Sequence, residues 1–437
     1  MPVPLAERDV NPETTIGLRR VKILRPLAIR DFALLWTGAA ISLLGDGVYI
    51  VAIAWQVYEL SDTPTALSLV GVAWTLPMAA FLLVGGLVSD RLDRRRIMIA
   101  ADLVRGAAVA TIAILSLTGT LELWHLFALS IVFGTGDAFF GPSFNALVPQ
   151  IVPQRLLVEA NSLDQFVRPF AMALVGPALG GWCVAALGTG AAFALDAGSY
   201  VLSAIAISLI AARPLLDRSE EPTSALADLR EGFRFVRAHA WLWGTLLGAA
   251  ISLLAFWGPV EVLVPFRIKN DLGGGADDFG LVLAAGGVGA IVAAVVMAQR
   301  GLPRRHMTFM YIAWAIGCLG IAGLAFATVL WQALAASFVQ QALFASGLVV
   351  WGTLIQTLVP TRLLGRVTSL DWLVSTSLVP ISFALTGPVA AWVGVEATLA
   401  GAGVIACIAT VGCLYIPGMR DTERSGLLET PSAALER

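Results

Sequence analysis

The chain has 437 residues, of which 58% are hydrophobic and only 13% are charged, and its mean hydropathy is +0.82. A single soluble domain is excluded, because so few polar residues could not cover a core of that size. The net charge of −2 says little as a total, so the distribution of the charges along the chain is the informative property.

The chain begins with a polar, proline-containing stretch of about thirty residues and then becomes strongly apolar. The polar stretch lacks a short apolar core and a small-residue cleavage site, so we expect no cleaved signal peptide and a permanent first helix. A helix needs roughly 20 apolar residues to cross a hydrocarbon layer of about 30 Å. Twelve stretches meet this requirement: 32–57, 66–89, 97–118, 123–148, 161–187, 191–212, 241–265, 279–299, 307–328, 331–357, 369–392 and 396–416.

A duplicated segment divides these spans into two halves. The stretch VPQRLLVEANSLD at 152–164 recurs as VPTRLLGRVTSLD at 359–371, with eight of thirteen positions identical, and a Gly-Pro pair follows each copy. Two copies in the same orientation, six helices apart, indicate parallel repeats. We therefore predict an all-α integral membrane protein with twelve transmembrane helices in two pseudo-symmetric six-helix bundles. The predicted organisation is a tail (1–30), a bundle (31–212), a linker (213–240), a second bundle (241–416) and a tail (417–437).

The basic residues lie on one side of the predicted membrane. With the N-terminus in the cytoplasm, 24 of the 28 lysines and arginines fall in cytoplasmic segments; Arg267 and Lys269 lie outside, and Arg105 and Arg168 lie within spans. This bias predicts a multi-pass protein of the inner or plasma membrane with both termini in the cytoplasm. From about Ser224 the linker has apolar residues at helical spacing, which predicts an amphipathic helix along the membrane surface.

Sequence motifs for enzymes and cofactors are not evident. The three histidines are isolated, and the absence of GxxxxGK[ST] excludes an attached ATPase. We expect no enzymatic activity, cofactor or metal and no nucleic-acid partner. The four cysteines lie within predicted spans without a CxxC motif, which argues against disulfides: Cys183, Cys318, Cys407 and Cys413.

Several motifs resemble those of the major facilitator superfamily over essentially the whole chain. GLVSDRLDRRR (86–96) resembles the signature between the second and third helices of that family, although Asp93 stands where the family usually has glycine. VGPALGG (175–181) is similar to the motif of the superfamily's drug and proton antiporters, with Gly176, Pro177, Gly180 and Gly181 as its members. DRRRIMIAADLVR, DAFFGPSFNALVPQIVP and LREGFRFVR resemble the branch of macrolide-efflux and siderophore-export proteins. The resemblance implies a transporter that works by alternating access.

One position departs from the family pattern. Many antiporters of the superfamily carry an arginine in the fourth helix, about four residues before a glycine. This sequence has Ser130 there and an acid at Asp137. A proton mechanism that depends on that arginine therefore cannot be transferred to this chain. The Gly-Pro motif favours export by its antiporter association, and the alternative is a packing kink with no bearing on direction.

The stretch DRLDRRR at 90–96 concentrates four arginines and two aspartates in seven positions. As a topology anchor its arginines would meet anionic head groups, but an anchor does not need the aspartates. We predict in addition a conformational latch, whose charge pairs close when the cytoplasmic side closes. Exposed pairs contribute only about 0–1 kcal/mol each, so several are needed. The predicted latch residues are Gly86, Asp90, Arg91, Arg94, Arg95 and, from the second half, Asp371.

Two acids lie near the middle of predicted spans, where a charge costs about 2.5–3.5 kcal/mol. These are Asp46 in the first span and Asp137 in the fourth. Because burial disfavours a charged carboxyl, such groups suit a proton carrier, and we predict that at least one carries the coupling proton. In the alternative, Asp46 hydrogen-bonds locally or caps a helix break and Asp137 pairs with Arg168. Asp196 and Glu261 are expected nearer the outer ends of their helices, as rim or gate residues.

The predicted substrate cavity combines aromatic, amide and charged side chains, although each aromatic could instead face lipid or the core. Its candidates are Tyr49, Gln56, Phe140, Asn145, Arg168, Trp257, Glu261 and Gln341. We expect a monomer in the lipid bilayer that exports hydrophobic or amphipathic small molecules, such as drugs, antibiotics or siderophore-like compounds, by proton antiport. The alternatives are a facilitator or importer without proton coupling, and a receptor or scaffold that does not transport.

Overall fold

The computed structural model describes residues 22–211 and 225–424, nearly all of which are helical. Twelve helices in this part of the chain are long and apolar enough to cross a membrane. The predicted all-α membrane fold is therefore confirmed. The outer parts of both predicted tails and the linker residues 212–224 lie outside the described residues.

The first half begins with a short 3₁₀ helix, Lys22–Ala28, that leads into the first membrane helix. Asp93 caps the third helix, since its carboxylate accepts a hydrogen bond from the Arg95 backbone at 3.0 Å. The helices of this half are α1 (Arg30–Leu60), α2 (Pro64–Arg91), α3 (Arg94–Leu117), α4 (Leu123–Ile151), α5 (Leu157–Pro169), α6 (Gly176–Leu187) and α7 (Thr189–Ser208).

The second half begins with the linker helix, which packs on a later helix of its own half. Glu231 pairs with Arg366, and Gly232 lies against the same arginine. The helices of this half are α8 (Ala225–Ala238), α9 (Ala240–Asn270), α10 (Ala276–Arg300), α11 (His306–Ala325), α12 (Leu330–Leu358), α13 (Thr361–Ser377), α14 (Val379–Val393), α15 (Val395–Cys413) and α16 (Asp421–Arg424).

Two predicted spans are interrupted in the structure. A π-helical segment, Phe170–Val175, separates α5 from α6, where the sequence predicted one helix. Pro177 has no N–H to donate and its ring crowds the preceding turn, which favours a widened turn just before it. In the second half α13 ends at Ser377 and α14 begins at Val379, close to Pro380. Both interruptions follow the duplicated segment.

The chain forms two compact units. The first unit includes the start of α10, which continues in the second, and the second unit includes the start of α2, which continues in the first. The first unit takes its described residues from Met1–Asp62, Leu69–Asp217 and Gly275–Ala284, and the second from Thr63–Ser68, Arg218–Gly274 and Ala285–Arg437. In the first unit Gly181 lies against the backbone of Ala276 and Gly280. In the second, Gly387 lies against the backbone of Thr65. Small residues at these contacts allow helix backbones to approach closely.

The short helix α16 is tied to the start of α11. Glu423 accepts a hydrogen bond from the Thr308 backbone and a second from the Thr308 hydroxyl at 3.0 Å. We expect Glu423→Ala to lower the free energy of unfolding by about 1 kcal/mol, because a helix N-terminus loses its acidic cap. Thermal unfolding in detergent measures this loss. Asp421→Ala, at an exposed position of the same helix, serves as the control, and equal midpoints for the two variants would contradict the capping role.

Candidate intramembrane site

Polar side chains from four helices of the first unit meet inside the bundle. They come from α1, α3, α4 and α7, and we call them the acid–arginine cluster: Asp46, Asp102, Arg105, Asp137, Asp196 and Tyr200. Their helices are otherwise strongly apolar, so these groups depend on one another for polar contacts.

Arg105 is the only cation of the cluster and is almost completely buried. Its Nη2 lies 2.5 Å from Asp102 Oδ1, and its Nη1 lies 3.3 Å from Asp137 Oδ1. The guanidinium carbon lies 4.5 Å from the centre of the Phe140 ring and 4.7 Å from that of Tyr200. A buried arginine is stable only with such partners, and ring faces contribute further attraction.

The other two acids of the cluster form hydrogen bonds with side chains of α7. The Tyr200 hydroxyl donates a hydrogen bond to Asp46 Oδ1, and the Ser199 hydroxyl donates to Asp196 Oδ1 at 3.2 Å. Gly45 makes this approach of α1 to α7 feasible, since a Cβ there would lie 2.3 Å from Asp196 Oδ1. Asp196 Oδ2 is buried and has no hydrogen-bond partner among the described residues.

The cluster has an excess of acids, since it contains four carboxyl groups and one guanidinium, which among these acids contacts only Asp102 and Asp137. If all were ionised, the low dielectric of the interior would make their mutual repulsion severe. Accessibility differs among them: Asp102 and Asp196 are fully buried, whereas Asp46 is partly exposed and the Asp137 side chain is 30% exposed. The accessible acids of the cluster are thus the two that the sequence singled out.

Three expectations about these charges are corrected by the structure. Asp196 is not a rim residue, because it is 0% exposed and lies in the cluster. Arg168 is largely exposed and pairs with Asp164 at 3.4 Å, so the partner of Asp137 is Arg105. The helix α1 runs unbroken through Asp46, which therefore does not cap a break.

The Gly-Pro motif packs directly beside the cluster. A Cβ on Gly176 would lie 2.7 Å from the α-carbon of Gly47, and one on Gly180 would lie 2.9 Å from that of Val48. Gly176 and Pro177 are buried. The motif therefore brings the backbone of α6 into contact with Gly47 of α1, the residue that follows Asp46. A displacement of α1 or α6 would displace the other helix.

The predicted latch residues have partners within their own units. Arg94 Nη1 donates to the Ala146 carbonyl at 3.2 Å, and Arg95 donates to the last carbonyls of α7, those of Ile207 and Ser208. Asp371 Oδ2 accepts a hydrogen bond from Trp351 Nε1 at 3.2 Å. The surroundings of the side chains of Asp90 and Arg91, and of Gly86, lie outside the described residues.

Three substrate-cavity candidates of the first half lie among partners inside the bundle. Tyr49 is buried and stacks on Phe133 at 4.9 Å between ring centres. The Gln56 amide oxygen accepts hydrogen bonds from the hydroxyls of Ser116 and Thr189. Phe140 covers Arg105, as described above. Of these three, Phe140 is the one that contacts the cluster.

The other cavity candidates are more accessible. Asn145 and Asp164, the ion-pair partner of Arg168, help to line a recess of about 230 Å³ at the end of α4. In the second unit, Trp257 is 37% exposed. Glu261 and Gln341 are partly buried. The candidates are thus divided between the two units.

The cluster residues that the sequence did not assign to this site are Asp102, Arg105, Asp196 and Tyr200. The spacing of the polar residues on α7 was an available signal: Asp196, Ser199, Tyr200 and Ser203 lie on one face of an otherwise apolar helix. Asp102 and Arg105 are likewise three residues apart on α3. Among the described residues no group of three or more His, Cys, Asp or Glu side chains could hold a metal ion.

Comparisons with known proteins agree with this architecture. Residues 22–432 match the family described as transmembrane secretion effector. The chain is 29% identical over 418 residues to the multidrug efflux pump Tap of Mycolicibacterium fortuitum, covering 91% of this chain and 97% of that protein. It is 26% identical over 235 residues to macrolide efflux protein A of Streptococcus pyogenes, covering 54% and 58%.

Solved structures show the same fold at lower identity. A bacterial homologue of the iron transporter ferroportin, in an inward-facing state, matches with a TM-score of 0.68 at 16% identity. The match covers 88% of this chain and 99% of that chain. At that identity the likeness shows the fold alone.

Proposed function

This chain belongs to the transmembrane secretion effector family of the major facilitator superfamily, and we propose that it exports hydrophobic or amphipathic small molecules by proton antiport. The two bundles would alternate in exposing a shared substrate site to each side of the membrane. The names of the relatives, a multidrug pump and a macrolide efflux protein, support the direction and the substrate class.

The acid–arginine cluster is the observation that carries the proton part of the proposal. An intramembrane carboxyl is costly and is a functional candidate by default, and here four of them lie in one cluster with a single arginine, which pairs with two of them. In the proposed cycle Asp46 and Asp137, the partly exposed acids, bind protons from the outer side and release them to the cytoplasm. One inward proton supplies about 2.3 kcal/mol per 100 mV of membrane potential.

Substrate and partner assignments follow from the same scheme. We assign to the substrate cavity Phe140, which contacts the cluster, and the more accessible candidates Asn145, Arg168, Trp257, Glu261 and Gln341. Protons and the lipid bilayer are the other partners, and the protein acts as a monomer in the cell membrane with both termini in the cytoplasm. The basic residues of the cytoplasmic segments support this orientation.

A susceptibility and efflux screen tests the proposal. Cells with and without the protein are exposed to a panel of hydrophobic compounds, and accumulation of each hit is then measured in inside-out vesicles. We expect energy-dependent accumulation that a protonophore abolishes. Accumulation that survives the protonophore would contradict proton antiport, and uptake into cells instead of efflux would contradict export.

The latch is proposed for the junction of α2 and α3, with Asp90 and Asp371 as its acids, Arg91, Arg94 and Arg95 as its bases, and Gly86 as the remaining member. We expect Asp90→Asn to reduce the transport rate several-fold and to shift the population toward the inward-facing state, since one closing contact is lost. Transport and cysteine accessibility at the cytoplasmic mouth measure the two effects. Unchanged transport together with unchanged accessibility would remove the latch and leave a topology anchor, and Glu122→Gln at the exposed end of α4 is the control.

A further inference from the structure

We propose that Arg105 and Tyr200 are positioning residues that join Asp46 and Asp137 into a single proton-binding unit. The inference rests on the proposed function only in naming these acids as proton carriers. It adds that neither acid binds its proton independently of the other, and that Asp102 fixes the arginine that connects them.

A continuous series of contacts links the two acids. Asp137 Oδ1 lies 3.3 Å from Arg105 Nη1, and the guanidinium carbon of Arg105 lies 4.7 Å from the centre of the Tyr200 ring. The hydroxyl of that ring donates to Asp46. The acids stand on α4 and α1, and the connecting groups on α3 and α7, so the link crosses the bundle.

The two carboxylates on Arg105 are not equivalent. Asp102 lies on the same helix, at 2.5 Å, and is 0% exposed, whereas Asp137 lies on another helix, at 3.3 Å, with 30% of its side chain exposed. Asp102 therefore acts as the fixed partner and Asp137 as the exchangeable one. When Asp137 takes a proton, its attraction for Nη1 falls, and Arg105 remains on Asp102.

Arg105 also has unused hydrogen-bonding capacity. Its Nε is buried without an acceptor among the described residues. A guanidinium with a free donor can reorient when Asp137 becomes neutral without breaking its contact with Asp102. Any reorientation of Arg105 changes its contact with the Tyr200 ring. Because the Tyr200 hydroxyl donates to Asp46, that change also alters the hydrogen bond to Asp46.

Within the described part of the chain, the charged and titratable groups that face this unit come from the cluster itself and from Tyr49 of α1, which interacts with Asp46 and Asp196. Asp102 and Arg105 face it from α3, and Asp46 from α1. Asp196 and Tyr200 face it from α7, and Phe140 of α4 covers the guanidinium. In this low-dielectric setting a change of one charge is felt strongly by the others.

Two substitutions are expected to move proton binding in opposite directions. Asp102→Asn removes the competitor of Asp137 for Arg105, which favours the ionised form of Asp137 and moves the protonation midpoint to lower pH by about one unit. Arg105→Lys replaces a planar, stacked fork by a point charge, which weakens the contact with Asp137 and moves the midpoint to higher pH. A purely structural role would not produce opposite shifts.

Infrared titration of the purified full-length protein in nanodiscs tests this without a transport substrate. The carbonyl stretch of protonated carboxyl groups is followed against pH, and Asp137→Asn and Asp46→Asn identify the bands of the two acids. We expect opposite shifts for Asp102→Asn and Arg105→Lys. We also expect Tyr200→Phe, which retains the ring, to weaken the response of the Asp46 band to Asp137→Asn, because only the direct charge interaction between the two acids then remains. Arg300→Lys and Tyr415→Phe, at exposed positions, are the matched controls.

Equal midpoints in all variants, or shifts in the same direction, would overturn the inference. If Asp102→Asn or Arg105→Lys does not fold, an Asp46 band whose response to Asp137→Asn is undiminished in the Tyr200→Phe background overturns it by itself. The proposed function is tested separately. Vesicle accumulation that survives a protonophore would contradict proton antiport even when the infrared shifts are observed.

Discussion

Replacing Asp46 and Asp137 together by asparagine is expected to abolish proton-driven accumulation of substrate. At 100 mV one proton supports a concentration ratio of about 50, and without a carrier that ratio falls to one. Asparagine keeps the shape of the side chain, and its oxygen still accepts the hydrogen bond from Tyr200 that Asp46 accepts. The variant should therefore fold and still exchange labelled for unlabelled substrate, because exchange moves no net proton.

The measurement compares accumulation in inside-out vesicles with substrate exchange in proteoliposomes. Glu122→Gln removes an acid at the exposed start of α4 and serves as the control for the loss of a negative charge. Accumulation that persists in the double variant and remains sensitive to a protonophore would show that another group carries the proton. Asp196 and Glu261 would then be the next candidates.

The second large effect is expected for Gly176→Ala. The added methyl group would lie 2.5 Å from the Ala171 carbonyl oxygen and 2.7 Å from the α-carbon of Gly47, so α1 and α6 must separate. Overpacking of this kind costs about 1–3 kcal/mol. Because Gly47 follows Asp46, we expect the transport rate to fall about tenfold or more, in addition to a lower unfolding midpoint.

Gly198→Ala on α7 is the matched control, because a Cβ added at that position would have no atom of another described helix within 4 Å. Transport and thermal unfolding are measured for both variants in the same detergent and lipid. Wild-type rates for Gly176→Ala would show that the contact between α1 and α6 does not influence transport. Loss of rate in Gly198→Ala as well would point to a general sensitivity of the bundle to added volume.

The spans and the duplication were predictable because membrane helices require long apolar runs, and such runs are visible in any sequence. The fifth span was predicted as one helix, but Phe170–Val175, just before the Gly-Pro pair, form a π-helical segment. The short helix after the last span was also missed, since its position depends on Thr308 at the start of α11. Both features arise from local backbone geometry that hydropathy does not report.

The acids of the candidate site were predictable, whereas their partners were not. Asp46 and Asp137 are conspicuous because charges are rare in spans. Their pairing with Tyr200 and Arg105 depends on how α7 and α3 are rotated about their axes and packed against α1 and α4, which hydropathy does not report. Asp196 was placed by its distance from the helix end, which gives depth in the membrane but not which face of the helix it occupies.

The most direct test of the account is the movement of protons that accompanies substrate. Purified protein is reconstituted in proteoliposomes that contain a pH-sensitive dye, the membrane potential is clamped, and a compound identified by the efflux screen is added on one side. We predict that protons move opposite to the substrate, and that they stop doing so in the variant lacking both Asp46 and Asp137. Substrate flux of normal rate with no change of internal pH in the wild type would contradict proton antiport.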